Sequence, residues 1–410
     1  MGIGVSQAID WDTAQRVGEL IAGSPPYGGV PSRSVQPLAY DFARRVCAYT
    51  GLEVPAELPP LEMVDRPSWI AANLQTMQPL LDPLLERLGG EGDDDDGHAG
   101  ERDNGGFGDL LTGSLRTASG HLLGAQLGAV TGMLSQRVLG QYDLSLLDSS
   151  VPPRLLLLAP NLAAAARNLG VDRDELIAWV AIHEITHAVQ FSGAPWLRDH
   201  LGGMLRELLD GLKLGDRPSA AGGRPSTGNS PSSSPGSSSS SGPSSSSGPS
   251  SSSSSWQLPD PRALLDRARD GELRVLIERL RHGELLRVGL GDERWRLVEQ
   301  MQSVMSLIEG HAEHTMDAVG AEVLPSLPRL RVALTRRRES RGLPWRVLER
   351  LLGLELKLRQ YEVGRRFCDA VVRADGPETL AVVWRSPREL PTAEELAEPE
   401  RWLERIRVAA

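Results

Sequence analysis

The clearest chemistry in the chain lies in five residues, His183-Glu184-Ile185-Thr186-His187. Side chains four apart on a helix stack on one face, so both imidazoles can reach one metal ion. Glu184, one position on from His183, projects toward the rim where a metal-bound water would sit. Two neutral nitrogen donors and an adjacent carboxylate make two-thirds of a hydrolytic zinc site. The third protein ligand has to come from elsewhere. With eight His in 410 residues, such a run arises by chance in about one chain in a hundred. A helix whose two His make only core hydrogen bonds would read the same. The flanks favour the metal. Asp172 stands as an N-cap with Glu175 three positions later, a capping box. Leu176, Ile177, Val180, Ala181, Ala188 and Val189 suit a helix buried over much of its surface, and Ser192-Gly193 with Pro195 stops it.

A second stretch, Met305 to Asp317, places Glu309, Glu313 and Asp317 with His311 and His314 inside an otherwise apolar helix. The three acids share a face, Asp317 less tightly, while the two His lie off it. Burying carboxylates is costly without a metal or hydrogen-bond partner. A solvated acidic stripe is the plain alternative, and the neighbouring Val304, Met305, Leu307 and Ile308 argue for burial instead.

These residues need elements to hold them, and helical spacing dominates. Helices are expected over Ile9 to Ala22, Val35 to Thr50, and Ser68 to Leu88, the last interrupted at Pro79 and Pro83. Gly120, Gly124, Gly128 and Gly132 recur every four residues. That stripe suits either close approach of another helix or a loosely packed glycine-rich one. Leu155 to Ala159, between Pro152-Pro153 and Pro160, is the best strand candidate, followed by an amphipathic stretch from Leu162 to Leu169. Further helices are expected over Leu264 to Leu280, Asp292 to Val319 ending at Gly320, Val347 to Leu358 and Tyr361 to Val372. The fold class is mainly α with a small β-sheet against the motif helix.

Two low-complexity runs divide the chain, an acidic glycine-rich one over 89–108 and a Ser/Pro/Gly-rich one over 215–255. Neither can bury apolar surface, so both are expected to be solvated and disordered. Between them lie an N-terminal helical region, 1–88, and blocks 109–214 and 256–410. The site needs ligands from both later blocks, which makes the Ser-rich run an insertion within one catalytic unit.

The net charge of −10 disfavours a nucleic-acid partner. Cys47 and Cys368 are too few for a disulfide framework and suggest a reducing compartment. With no signal-like opening and no apolar run of membrane length, a cytoplasmic protein without membrane partners is expected. The sequence is silent on oligomeric state.

The strings HEITHAVQFSGAPWLRDHL and MSLIEGHAEHTMDAVG resemble an actinobacterial zincin-like metallopeptidase family of uncharacterised proteins, often labelled as associated with biosynthesis of a deazaflavin coenzyme. VDRPSWIAANL (Val64 to Leu74), QRVLGQYDL (Gln136 to Leu144) and LKLRQYEVGRRF (Leu356 to Phe367) extend the resemblance over most of the chain outside the low-complexity runs. It implies a zincin fold, with a third ligand on a later helix. In Glu-type zincins that ligand often stands in a Glu-Gly context, here Glu309-Gly310. Glu309 is therefore favoured, with Glu313 one turn on hydrogen-bonding a ligating His. The competing register makes Glu313 the ligand and Asp317 its support, and His311 is a third candidate, as ligand or as donor to the transition state.

The expected enzyme is a zinc metallopeptidase acting on a peptide or protein substrate. Zn2+ would be held by His183, His187 and Glu309, with Glu184 as general base and then acid. His311, Tyr361 and Arg365 are candidates for an oxyanion donor. The alternative is a non-proteolytic metal-binding protein that acts by interaction, linked to deazaflavin coenzyme biosynthesis.

Overall fold

The computed structural model describes residues 9–23, 36–90, 107–211, 284–339 and 354–409. A run of four leucines with no polar alternation suits a strand covered on both faces. Strand β3 (Arg154–Leu158) lies at the centre of a three-stranded sheet. β1 (Leu61–Val64) pairs with it in parallel and β2 (Gly140–Asp143) antiparallel, with Tyr142 opposite Leu155. Leu155 and Leu157 enter one core with α2 (Gln36–Thr50), α5 (Ala159–Leu169) and α6 (Arg173–Gly193). Leu156 and Leu158 enter another, with Ala14 of α1 (Trp11–Ala22) and Trp69 and Ile70 of α3 (Arg66–Gly90). Pro160 sits in the first turn of α5, where its missing N–H costs no helical bond.

The glycine stripe is a helix contact. It lies on α4 (Phe107–Ser135), and a Cβ on Gly124, Gly128 or Gly132 would stand 2.3, 2.2 or 2.4 Å from the carbonyl oxygen of Asp10, Ala14 or Gly18. Only a bare backbone lets α1 come so close. At the top of the stripe the Gly120 carbonyl accepts the Asp10 N–H at 3.1 Å.

Several expected boundaries move. α3 runs through Pro79 and Pro83 without a break; each proline forfeits one backbone bond, and the span does not end there. Gly89 and Gly90 belong to α3, and Phe107 and Gly108 to α4. The rest of the acidic run, the whole Ser-rich run, the helix expected at 264–280 and the 347–353 part of the helix expected from Val347 to Leu358 lie outside the described residues. α8 (Glu284–Val323) passes through Gly320, which keeps its helical bond from Leu324, so the stop comes before Pro325. α9 (Leu327–Glu339) follows. α10 (Leu354–Asp375) is one helix across the break expected between Leu358 and Tyr361.

A third core joins α7 (Trp196–Gly211) to α8, α10 and the C-terminal helices α11 (Pro377–Leu380), α12 (Ala393–Ala397) and α13 (Pro399–Ala409). Described residues before Gly215 and after Leu285 pack into one compact unit. Among them no helix is long and apolar enough to cross a membrane.

Replacing Gly128 with Ala is expected to destabilise the protein by about 1–3 kcal/mol through overpacking. Gly203→Ala, in α7 with nothing within 4 Å of an added Cβ, is expected to stabilise it by about 0.5–1 kcal/mol. Denaturant melts of the two variants test the contact, and shifts of the same sign would show that α1 does not bear on α4.

Candidate metal centre

α6 begins at Asp172, whose carboxylate accepts the Glu175 N–H at 2.9 Å. Only that half of the capping box forms. The Glu175 carboxylate turns outward and accepts the N–H of Ser326 at 3.1 Å and its hydroxyl, tying α6 to the turn between α8 and α9. A competing pair of donors from another element has taken the side chain.

Two turns further on, His183 and His187 stack as the four-residue spacing requires, and α8 brings Glu309 to them. The Nε2 atoms of the two His are 3.2 Å apart, and Glu309 Oε2 lies 3.6 Å from the first and 3.7 Å from the second. Four donors around zinc at ordinary bond lengths stand about 3.4 Å from one another. The three atoms therefore form a triangle close to one face of such a tetrahedron, and two imidazoles with one carboxylate are a zinc donor set. Among the described residues this trio is the cluster of His, Cys, Asp and Glu able to hold a metal.

The three side chains lie close enough to act on one another's charge. Burial works against charge on His187, but the carboxylates of Glu309 and Glu184 outweigh it and lift the imidazole to about 9. Burial likewise pushes Glu309 upward, and the two imidazoles overcome it, holding the carboxyl well below its ordinary range. Glu184 behaves oppositely. It is 6% exposed, and burial raises its carboxyl despite the two imidazoles. The backbone N–H of Tyr142 in β2 steadies it. A Cβ on Gly140 would stand 2.7 Å from Glu184 Oε1 and 2.6 Å from Val180 Cγ1, so glycine there leaves the carboxylate its place.

The trio and Glu184 open into a cavity of about 380 Å3. Gly140, Gln141 and Tyr142 of β2 form one side, and Phe191, Leu201, Met305 and Ile308 an apolar one. The Tyr142 phenol is pushed up to about 12 by burial, so it keeps its proton.

The other expected site residues lie elsewhere. Glu313 is buried but outside the trio. Gln190 stands behind one of the two His, its Oε1 2.9 Å from His187 Nδ1. Asp317 is held by Arg331 and Arg365, each at 2.7 Å, so the Glu313/Asp317 register does not form the centre. The same bond occupies Arg365, which does not line the cavity.

His311 is 2% exposed and does not line the cavity either. Gln190 Nε2 donates to its Nδ1 at 2.9 Å, and Trp384 Nε1 lies 3.4 Å from its Nε2. Burial lowers its pKa to about 3, so the ring is neutral. It reaches His187 through Gln190 and stays outside the cavity. Tyr361 falls on α10, with its side chain outside the described residues.

Sequence reasoning missed Gln190, Gly140 and Tyr142. A signal existed for the first: a polar residue one turn beyond His187, among buried Ala188, Val189 and Ile185. The Glu-Gly pair also acquires a physical reason. A Cβ on Gly310 would stand 2.2 Å from the backbone of Gly364, and one on Gly364 1.8 Å from the Ser306 carbonyl, so α8 and α10 cross backbone to backbone beside Glu309.

No curated protein matches the chain. A crystal structure from Chloroflexus aurantiacus, described as a presumed hydrolase with a novel fold, is 25% identical, with a TM-score of 0.58 over 97% of this chain and 99% of that one. A model of zincin-like metallopeptidases matches residues 9–403, which span the sheet, the motif helix and the Glu309 helix, and the chain belongs to that family.

Proposed function

We propose that the protein is a zinc-dependent hydrolase that cleaves peptide bonds. The observation that carries this is the triangle of His183, His187 and Glu309 donors with the Glu184 carboxylate beside it. Zinc bound there would act as a Lewis acid toward the scissile carbonyl and would acidify water at the same position. Glu184 accepts the proton released on attack and returns it to the leaving amine, a role suited to a carboxyl whose pKa burial has raised. Tyr142 takes the place of the other oxyanion candidates, because it lines the cavity and stays protonated.

A peptide substrate suits the walls. β2 pairs with β3 on one side only among the described residues, and an extended backbone fits beside an edge strand. Phe191, Leu201 and Ile308 favour an apolar side chain next to the cleaved bond. The competing reading, a metal-binding protein of a coenzyme pathway acting by interaction alone, leaves the buried Glu184 without a task.

Zinc content measured after loading and dialysis is expected to be one ion per chain in the wild type and in Glu313→Ala, and to be lost in His183→Ala and Glu309→Ala. Gln190→Leu is expected to weaken zinc by about 10–100-fold, as loss of a ligand-orienting partner does. Zinc kept by Glu309→Ala and lost by Glu313→Ala would overturn the ligand set.

Glu184→Gln is expected to keep its zinc and to slow hydrolysis of a peptide library by about 10²–10⁴-fold. Cleavage at the wild-type rate in that variant would sink the assigned base. A wild-type enzyme that holds zinc and cleaves nothing would favour the interaction reading.

A further inference from the structure

A second cavity, of about 900 Å3, shares no lining residue with the metal centre. The start of α3 contributes Arg66, the turn after α4 Gln136, α5 Asn161 and Asn168, and α9 Arg329. Among the described residues no carboxylate lines it, in a chain whose acids outnumber its Lys and Arg by 54 to 44.

Arg66 is the informative residue. Its Nε–H donates to Asn161 Oδ1 at 3.0 Å and its Nη1–H to the Ala22 carbonyl at 2.7 Å, both neutral acceptors. Among the described residues no carboxylate pairs with it, and burial alone acts on its pKa, downward. Asn161 is itself locked, because its amide donates to the carbonyls of Ser135 at 2.7 Å and Val138 at 2.6 Å. A guanidinium has five N–H donors, so a clamp between α1 and α5 uses part of Arg66 and leaves both donors and charge over. Arg329 also lines the cavity with an exposed side chain, and among the described residues no carboxylate pairs with it. The remaining wall is largely apolar, from Ala164, Ala165, Val171 and Val332. A guanidinium held in place by two bonds, with an exposed second one at the rim, over an apolar wall has the features of a ligand site.

We propose that this cavity binds a small organic anion, a carboxylate or phosphate head on an apolar body. The head meets Arg66 and Arg329, for which the planar guanidinium is the fitted partner. The body lies along Ala164, Ala165, Val171 and Val332. This site is independent of the hydrolase reading, because it uses none of the residues of the metal centre.

The test is calorimetric titration of the full chain with octanoate, octyl phosphate, the uncharged octanamide and inorganic phosphate. Octanoate or octyl phosphate is expected to bind at least about tenfold tighter than octanamide or inorganic phosphate, and the tighter of the first two identifies the head. Arg329→Ala, which breaks no described side-chain bond, is expected to weaken that binding by about tenfold. Ala164→Trp, which fills the cavity and keeps both arginines, is expected to abolish it. Arg66→Gln also removes a helix clamp and is read only beside these two, with circular dichroism as the check on folding. Equal binding of octanamide, wild-type affinity in Arg329→Ala, or no binding of either anion by the wild type would each overturn the proposal.

Discussion

One buried amide holds the metal centre together. Gln190 is fully enclosed, and every polar atom of its side chain is used. Its Oε1 accepts the Nδ1–H of His187, which leaves Nε2 of that ring facing Glu309. Its Nε2 donates to the Ile308 carbonyl at 3.0 Å, next in sequence to Glu309, and to His311 at 2.9 Å. A single side chain thereby sets the ring of one ligand and the axial position of the helix carrying another. Leaving any of these groups unpaired in the interior would cost about 1–3 kcal/mol each, so α6 and α8 have little freedom to slide past one another here.

Two backbone approaches complete the frame, and both need glycine. At Gly140, β2 comes close enough to Glu184 that the carboxylate is confined between strand and helix, with a backbone N–H to steady it. At Gly310 and Gly364, α8 and α10 touch through their main chains. The trio and Glu184 are thus positioned by elements that meet without side chains between them. That is the rigidity a catalytic constellation needs.

How far this could be seen in the sequence follows from how local each cause is. His183, Glu184 and His187 were legible because helical spacing alone brings them together. The run Leu155 to Leu158 was legible because an apolar stretch between prolines has few other uses. β1 and β2 were not, since four residues such as Gly140 to Asp143 carry no alternation and exist as strands only beside β3. Glu309 and Glu313 share a helix face, so periodicity could not choose between them. The choice rests on α6 facing the first, and the close crossing at Gly310 lies beside it. Gln190 reads as an ordinary helical amide because its partners stand 118 and 121 residues away. Glu175 misled for the same reason, its true partner being Ser326, 151 residues on.

The polar residues of α8 also explain why one short stretch looked so rich in ligands. Glu309 faces α6, and His311 meets Gln190 and Trp384. His314 lies between Asp369 of α10, at 2.6 Å, and the hydroxyl of Tyr49 of α2, at 2.7 Å. Asp317 binds Arg331 of α9 and Arg365 of α10. Each of these side chains finds its partner on a different neighbouring element or pair of elements. Rotating α8, or sliding it by one turn, would orphan several at once, and a buried polar network tolerates that poorly. The apolar faces of α8 would accept several neighbouring registers at similar cost, because hydrophobic burial is not directional. The polar set accepts one. Of the five acidic and His residues in this stretch, one faces His183 and His187, and at least three of the others help fix the register in which it does so.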